Sequence, residues 1–186
     1  MEQIILKELS EIRFGFYGKA SLKGKYNYIQ SNYFSDSGLL INEPKSFIDL
    51  EDKDDGHILQ EGDVLFISKG FRYFAWCYRE SFGPAVASTI FFVIRPDKGK
   101  ILPEYLTAFI NMPKNQDYFK LLAAGSSTPS IRKSELENVS IPVLSLEKQQ
   151  QLVELYKLHI KEIELLSALE QQKTILYQSM MTNILK

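Results

Sequence analysis

Apolar residues in the first part of the chain fall in short runs that predict β-strands. Three runs, at residues 64–68, 74–77 and 89–94, are aromatic or β-branched and are bounded by Gly, Pro or charged residues. The turn Glu61-Gly62-Asp63 leads into the first of them. The pattern therefore predicts a β-sheet within residues 1–144.

Helical spacing follows these strands. Pro103 stands where the first turn of a helix tolerates proline, residues 104–110 carry apolar side chains at helical spacing, and the run 111–113 ends the pattern. A second helix is predicted from about Asn115 to Ala124, before Gly125. Strands mixed with helices predict an α+β domain with a mixed β-sheet.

The last part of the chain predicts one long helix. Ser145 is a plausible N-cap with Glu147 in the first turn, and no Gly or Pro follows it. About 40 helical residues would span about 60 Å. We therefore divide the chain into a domain, residues 1–144, and a helix, residues 145–186. The apolar stripe of this helix comprises Leu152, Tyr156, Ile160, Ile163, Leu166 and Leu169 and, after a polar gap at 170–174, Leu176, Met180 and Ile184.

This stripe is longer than a domain of about 145 residues easily covers along its length. A coiled-coil-like pairing with another long helix, for dimerisation or subunit docking, is the favoured interpretation. The alternative is a helix that lies on its own domain. Tyr156, His159 and the polar gap depart from a regular heptad, so an irregular antiparallel or bundled arrangement fits as well as a parallel zipper.

Composition limits the function classes. With 186 residues, 45% hydrophobic and 24% charged, the chain fits one soluble domain with an appendage. The absence of a signal-like start and of any run of about 20 apolar residues predicts a cytoplasmic protein. Cys77 has no second cysteine to pair with, and His57 and His159 lie far apart, so we expect no disulfide, metal or cofactor.

The net charge of −1 hides an uneven distribution. Residues 12–35 contain four cations and no acid, whereas residues 49–55 contain five acids and one lysine. We therefore expect one face to be basic and another acidic.

Three segments combine cations with groups that contact nucleic acid. Glycine lets backbone approach a ligand closely, arginine makes bidentate contacts, and main-chain N–H groups and hydroxyls bind phosphate. Surface cations are also common without any partner, so composition alone leaves the function open. The candidate residues are Lys19, Lys23 and Lys25 in the first segment, Lys69, Arg72, Tyr73 and Arg79 in the second, and Ser126, Ser127, Arg132 and Lys133 in the third.

Catalytic patterns have little support, and we predict no catalytic residues. The glycine-rich run 15–20 is too short for a phosphate-binding loop and lacks its hydroxyl residue. The run 125–129 lacks the second glycine of a nucleophile elbow and follows a helix. A nucleic-acid-processing enzyme using Asp36, Glu43 and Lys45 is the weakest alternative, because three such charged residues often occur together by chance in a polar loop.

A family resemblance changes this picture. The chain resembles the target-recognition domain and following spacer helix of type I restriction-modification specificity subunits. Leu144-Ser145 stands where the family commonly has proline, which alters the helix entry. The segments that carry the resemblance are 6–16, 61–66, 102–106, 125–127, Ile131, 136–139, 141–143 and, at the start of the long helix, 145–153.

The resemblance implies a non-catalytic subunit that reads half of a bipartite DNA sequence and docks modification methyltransferase subunits, with or without a restriction subunit. The family has two such units in tandem, whereas this chain has one. We therefore expect either a half-subunit that homodimerises through its helix or pairs with another specificity half, or an orphan fragment. A symmetric homodimer predicts a palindromic bipartite site. A scaffold protein that uses the helix without binding DNA is the rival hypothesis.

Overall fold

The chain alternates short strands with helices and ends in one long helix. The computed structural model describes residues 2–35, 38–41, 43–124 and 129–185. The strands are β1 Glu2–Ile5, β2 Ser10–Phe14, β3 Tyr26–Ile29, β4 Phe47–Ile48, β5 Val64–Ile67, β6 Ala75–Cys77, β7 Ala85–Ala87, β8 Phe91–Pro96 and β9 Ser140–Val143. The helices are α1 Leu6–Leu9, α2 Pro103–Asn111, α3 Pro113–Leu122, α4 Lys133–Glu137 and α5 Leu146–Ile184, with 3-10 turns at Ser31–Tyr33, Asp52–His57 and Glu80–Phe82. The predicted α+β class with a long C-terminal helix is confirmed.

The three predicted strands form most of the central sheet. This sheet is antiparallel with strand order β2-β8-β5-β6, so β5, β6 and β8 are the strands that the sequence pattern predicted. A second sheet has the order β4-β3-β7, in which β3 and β7 run parallel. The first strand, β1, pairs antiparallel with β9, and this pairing brings the N-terminal strand next to the start of α5.

Strand β5 and the first four residues of β8 are apolar at every position, because both faces of the central sheet pack against a hydrophobic core. Val64 and Phe66 of β5 point into a core shared with α1, α2, α3 and α4, whereas Leu65 and Ile67 point into a second core shared with β3 and β7. Phe91 and Phe92 of β8 divide between the same two cores. The sheet is thus the middle layer of the fold.

The two short helices were predicted at nearly their observed positions. The first, α2, begins at Pro103 as expected. The second, α3, begins at Pro113 rather than near Asn115, because proline also fits the first turn of a helix, and it ends at Leu122.

The long helix α5 begins where the sequence predicted. The hydroxyl of Ser145 accepts a hydrogen bond from the backbone N–H of Lys148, which satisfies one unpaired donor of the first turn. Gln149 and Val153 of α5 are buried, and Val153 joins the core beneath α2. Side chains beyond Ile163 are exposed. The first turns therefore pack on the domain, as the alternative prediction had it, and the rest of the helix does not. None of the described helices is long and apolar enough to span a membrane.

Candidate nucleic-acid interface

The hairpin between β5 and β6 meets the segment that follows α3. The backbone N–H of Gly70 donates to the carbonyl of Pro129 at 2.9 Å, and the N–H of Ile131 donates to the carbonyl of Ser68 at 2.8 Å. An isolated antiparallel bridge joins Lys69 to Ser130. Residues 68–70 of the hairpin and residues 129–131 therefore lie side by side at this end of the sheet.

The cationic side chains on this surface differ in the contacts that they make with the rest of the protein. Lys69 and Arg132 are exposed. The backbone N–H of Arg132 donates to Glu135 at 2.7 Å, and this contact leaves the guanidinium uninvolved. Lys133 lies 3.5 Å from the carboxylate of Glu137 in an (i, i+4) ion pair, a contact that contributes little at a surface. The predicted contacts Ser126 and Ser127 lie outside the described residues.

The predicted contact Arg72 is engaged with the protein backbone. Its guanidinium donates to the carbonyls of Phe34 at 3.2 Å and Ser31 at 3.3 Å, and so ties the 3-10 turn at 31–33 to the hairpin. Tyr73 follows it and is only 3% exposed, with its ring stacked on Phe66. Tyr73 has almost no surface with which to contact DNA in this conformation, because its ring is packed in the core.

Arg79 lies beyond the far end of β6 from Arg72, so the two arginines do not share a surface. Its guanidinium donates to Glu61 at 2.7 Å and to Glu104 of α2. Partial burial lowers the pKa of Arg79, but the hydrogen bonds that it donates to Glu61 and Glu104 outweigh this effect and raise the pKa above its usual value. Arg79 thus joins the start of β5 to α2, which accounts for its presence without DNA.

The lysines of the first segment are exposed beside the second sheet. Lys19, Lys23 and Lys25 all reach solvent. The backbone N–H of Lys25 donates to Asp49 at 2.8 Å, and contact with Tyr26, followed by the charges of Asp55 and Asp52, raises the pKa of its ammonium group. The expected separation of basic and acidic faces is therefore wrong at Lys25, because strand pairing brings the two stretches together.

A buried carboxylate that the sequence reasoning missed holds the central sheet. Asp63 is 1% exposed and accepts two hydrogen bonds of 2.8 Å from Arg95 and one of 3.2 Å from Arg13. Burial, followed by the neighbouring charge of Arg95, lowers the pKa of Arg13. The preceding Gly62 has a φ of +87°, a conformation that favours glycine. The Gly-Asp-Val run is therefore a structural motif, and a Gly-Asp pair before an apolar run was its only sequence signal.

Two polar side chains fasten α5 to the domain. Gln149 accepts a hydrogen bond from the N–H of Leu102 at 2.8 Å and donates to the carbonyls of Lys100 and Leu144 at 3.0 and 2.9 Å. Asn111 exchanges hydrogen bonds of 2.8 and 2.9 Å with the backbone of Ala75 on the outer strand β6, and it donates to the hydroxyl of Tyr156 at 3.0 Å. The direction in which the helix leaves the domain is thus fixed by hydrogen bonds.

Two open grooves flank the first half of α5. The β6 groove, about 670 Å³, lies between α5 and the outer strand, and the α2 groove, about 1240 Å³, lies between α5 and α2. Tyr156 lines both grooves. Residues of the predicted stripe that line the grooves are Leu152 in the α2 groove and Ile160 and Ile163 in the β6 groove.

The remaining stripe residues are exposed. Leu166, Leu169, Leu176, Met180 and Ile184 keep between 51% and 75% of their surface accessible. An apolar row of this length on one helix marks an interaction surface.

The described residues contain no group of three or more His, Cys, Asp or Glu side chains that could hold a metal ion. Glu43 and Lys45 of the weakest alternative are exposed, and Asp36 lies outside the described residues.

A family model matches most of the chain. The model of the type I restriction modification DNA specificity domain matches residues 1–174. No curated protein matches the chain significantly.

Solved structures share the fold. A chain from a structure of complex assembly and conformational transition of the type I restriction-modification system has a TM-score of 0.65 at 17% identity, over 89% of this chain and 39% of that chain. The type I restriction-modification S subunit from M. genitalium has a TM-score of 0.64 at 14% identity, over 90% and 41%. The HsdS subunit from Thermoanaerobacter tengcongensis has a TM-score of 0.64 at 17% identity, over 88% and 38%. The chain thus spans about two fifths of each neighbour.

Proposed function

The chain belongs to the type I restriction-modification DNA specificity domain family, and from that premise we propose that it is a non-catalytic subunit that reads one half of a bipartite DNA site. The family match over residues 1–174 is the observation that carries the proposal. In this role the chain directs modification methyltransferase subunits, with or without a restriction subunit, to its target. We also propose a cytoplasmic location, where such a complex meets chromosomal DNA.

The proposed DNA-binding surface is centred on the junction between the β5–β6 hairpin and residues 129–133. Lys69 and Arg132 are exposed there, and Lys133 has only a surface ion pair to exchange. Ser126 and Ser127 remain predicted contacts in the adjoining stretch, and Lys19, Lys23 and Lys25 remain predicted phosphate contacts. Arg72, Tyr73 and Arg79 are left out, because hydrogen bonds to the protein or burial in the core already occupy them.

The proposed assembly is a homodimer through α5. Its second half exposes an apolar row, and both grooves lie beside its first half. In an antiparallel pair, Leu176, Met180 and Ile184 of one copy lie against the grooves of the other. In a parallel pair the same residues face each other, and the grooves stay empty. Burial of apolar surface therefore favours the antiparallel arrangement.

This assembly would rebuild a two-domain subunit from one-domain chains. An antiparallel pair of helices of about 60 Å places the two domains at opposite ends and sets the distance between two half-sites. Two-fold symmetry then requires an inverted repeat in the DNA. A chain that pairs with a different specificity half would instead give an asymmetric site.

Sedimentation of the full chain tests the homodimer. Leu169→Glu with Leu176→Glu places two charges in the proposed interface, whereas Thr174→Glu places one charge about 160° around the helix from Leu176. The expected result is a dimer for the native chain and for Thr174→Glu, and a monomer for the double variant. A native chain that sediments as a monomer at micromolar concentration, or a double variant that stays dimeric, contradicts the proposal.

Selection from a random double-stranded DNA library tests recognition. The expected result is enrichment of one motif, bound with an affinity that falls steeply as salt rises. Recovery of unrelated sequences with no salt-sensitive binding would instead favour a scaffold protein that uses the helix alone.

A further inference from the structure

The tip of the β5–β6 hairpin carries an aromatic side chain that reaches into solvent. Phe71 is 81% exposed. It follows Gly70, whose φ is +102°, and among the described residues no atom beyond the chain neighbours lies within 4 Å of the position that a Cβ on Gly70 would take. The chain therefore bends sharply in open space and presents Phe71 at the bend.

The backbone on both sides of Phe71 is held firmly. Before it, Gly70 is bonded to Pro129 and Lys69 is bridged to Ser130. After it, Arg72 is bonded to two backbone carbonyls of the 31–34 turn, and Tyr73 is buried. The backbone position of Phe71 is thus set by its neighbours. A segment whose backbone is already ordered before binding loses less conformational entropy when a ligand covers it.

The surroundings of the tip indicate what would cover the ring. Lys69 precedes it, and the exposed Arg132 belongs to the segment that is bridged to the hairpin. Cations in these positions suit DNA phosphates, but a phenyl ring gains nothing from phosphate. On DNA, the apolar partners of phenylalanine are bases, through a thymine methyl group or a base step that the ring separates.

We propose that Phe71 is a base-contacting residue of the DNA-binding surface and contributes to the choice of sequence. The inference rests on the proposed DNA-binding function. It adds that two neighbouring residues of the hairpin contribute to binding in different ways. Lys69 supplies attraction to any DNA, whereas Phe71 acts only where the base at its position offers an apolar partner.

The test uses the full chain, its selected target sequence and an unrelated duplex. Phe71→Ala is expected to weaken binding to the target by about tenfold, the scale of a lost base contact, and to leave binding to the unrelated duplex unchanged. Phe71→Leu, which keeps an apolar side chain, is expected to lose less. Lys69→Ala is the contrasting variant, and it is expected to weaken both duplexes alike and to reduce the salt dependence by about one phosphate contact.

Thermal unfolding of Phe71→Ala checks the fold, and its midpoint is expected to match that of the native chain because the side chain is exposed. Equal binding of Phe71→Ala and the native chain to the target overturns the inference, as does an equal loss on both duplexes. A native chain that does not distinguish the two duplexes refutes the proposed function itself, which separates that failure from a failure at Phe71 alone.

Discussion

The side chain of Gln149 and the backbone of Leu102 are joined by a hydrogen bond of 2.8 Å from the N–H of Leu102 to Oε1. The amide group of Gln149 also satisfies the carbonyls of Lys100 and Leu144. One fully buried side chain thus connects the start of α5 to the segment that enters α2. This connection makes the long helix a rigid extension of the domain through its first turns.

Replacement of Gln149 by leucine should destabilise the domain. The variant keeps the volume but removes the partner of the partly buried N–H of Leu102 and of two backbone carbonyls, so the free energy of unfolding should fall by about 2–4 kcal/mol. Urea unfolding at one fixed protein concentration measures the change. Gln150→Leu is the matched control, because the Gln150 side chain is exposed and its partner among the described residues is the exposed Glu154. A similar loss for both variants would show that Gln149 has no special role.

Replacement of Asp63 by asparagine barely changes the size of the side chain but should lower the free energy of unfolding substantially. Arg13 and Arg95 would then lack their shared buried carboxylate, and removal of one member of a buried ion pair costs about 3–5 kcal/mol. Chemical unfolding provides the measurement. Asp117→Asn removes the same charge from an exposed pair with Lys120 and should change stability by less than about 1 kcal/mol. An Asp63→Asn protein of native stability would contradict the structural role of the Gly-Asp-Val run.

Replacement of Tyr73 by phenylalanine should be harmless. Among the described residues, the hydroxyl of Tyr73 is one of two buried side-chain groups without a hydrogen-bond partner, and its burial raises the pKa of Tyr73. Removal of an unsatisfied buried hydroxyl is neutral or stabilising, by up to about 1 kcal/mol. Thermal unfolding measures this effect. DNA affinity should not change either, and a loss of binding with the fold intact would return Tyr73 to the DNA interface.

The thiol of Cys77 should react slowly in the folded protein. Burial raises its pKa from 9.0 to about 12, so at pH 8 the reactive thiolate is about a thousandfold scarcer than in an unfolded chain. Labelling with a thiol reagent, with and without denaturant, tests this expectation. The raised pKa also means that the folded state retains the proton as pH rises above 9, so this group's contribution to stability falls between pH 9 and about 12. Rapid labelling of the folded chain would contradict the partly buried position of the thiol.

The sequence identified the elements whose signals are local. Residues 64–67 and 91–94 are apolar at every position, and α5 lacks Gly and Pro throughout, so pattern alone located them. It missed β1, β2, β3, β4, β7 and β9, because these strands either mix polar with apolar residues or are too short to stand out from their surroundings. Their pairings are also distant in sequence, as between Tyr28 and Val86, so stability comes from contacts that no local window contains.

Candidate site residues were harder to identify for a different reason. The sequence gives no reason to distinguish the three cations Lys69, Arg72 and Arg79. In the fold, Lys69 is exposed, whereas Arg72 donates hydrogen bonds to the backbone of residues 31–34 and Arg79 pairs with two glutamates. Which cations stay available for a ligand depends on the acceptors that tertiary structure brings near. Residue type alone therefore cannot separate a DNA contact from an arginine that holds the domain together.

The most direct test of the central claim is to reconstitute the chain with its methyltransferase subunit and map which adenines or cytosines become methylated in a random DNA library. We predict methylation at a single bipartite motif whose two halves form an inverted repeat across a spacer of constant length. Methylation without sequence dependence, or no methylation by an assembled complex, would contradict the recognition role. An asymmetric bipartite motif would contradict the homodimer.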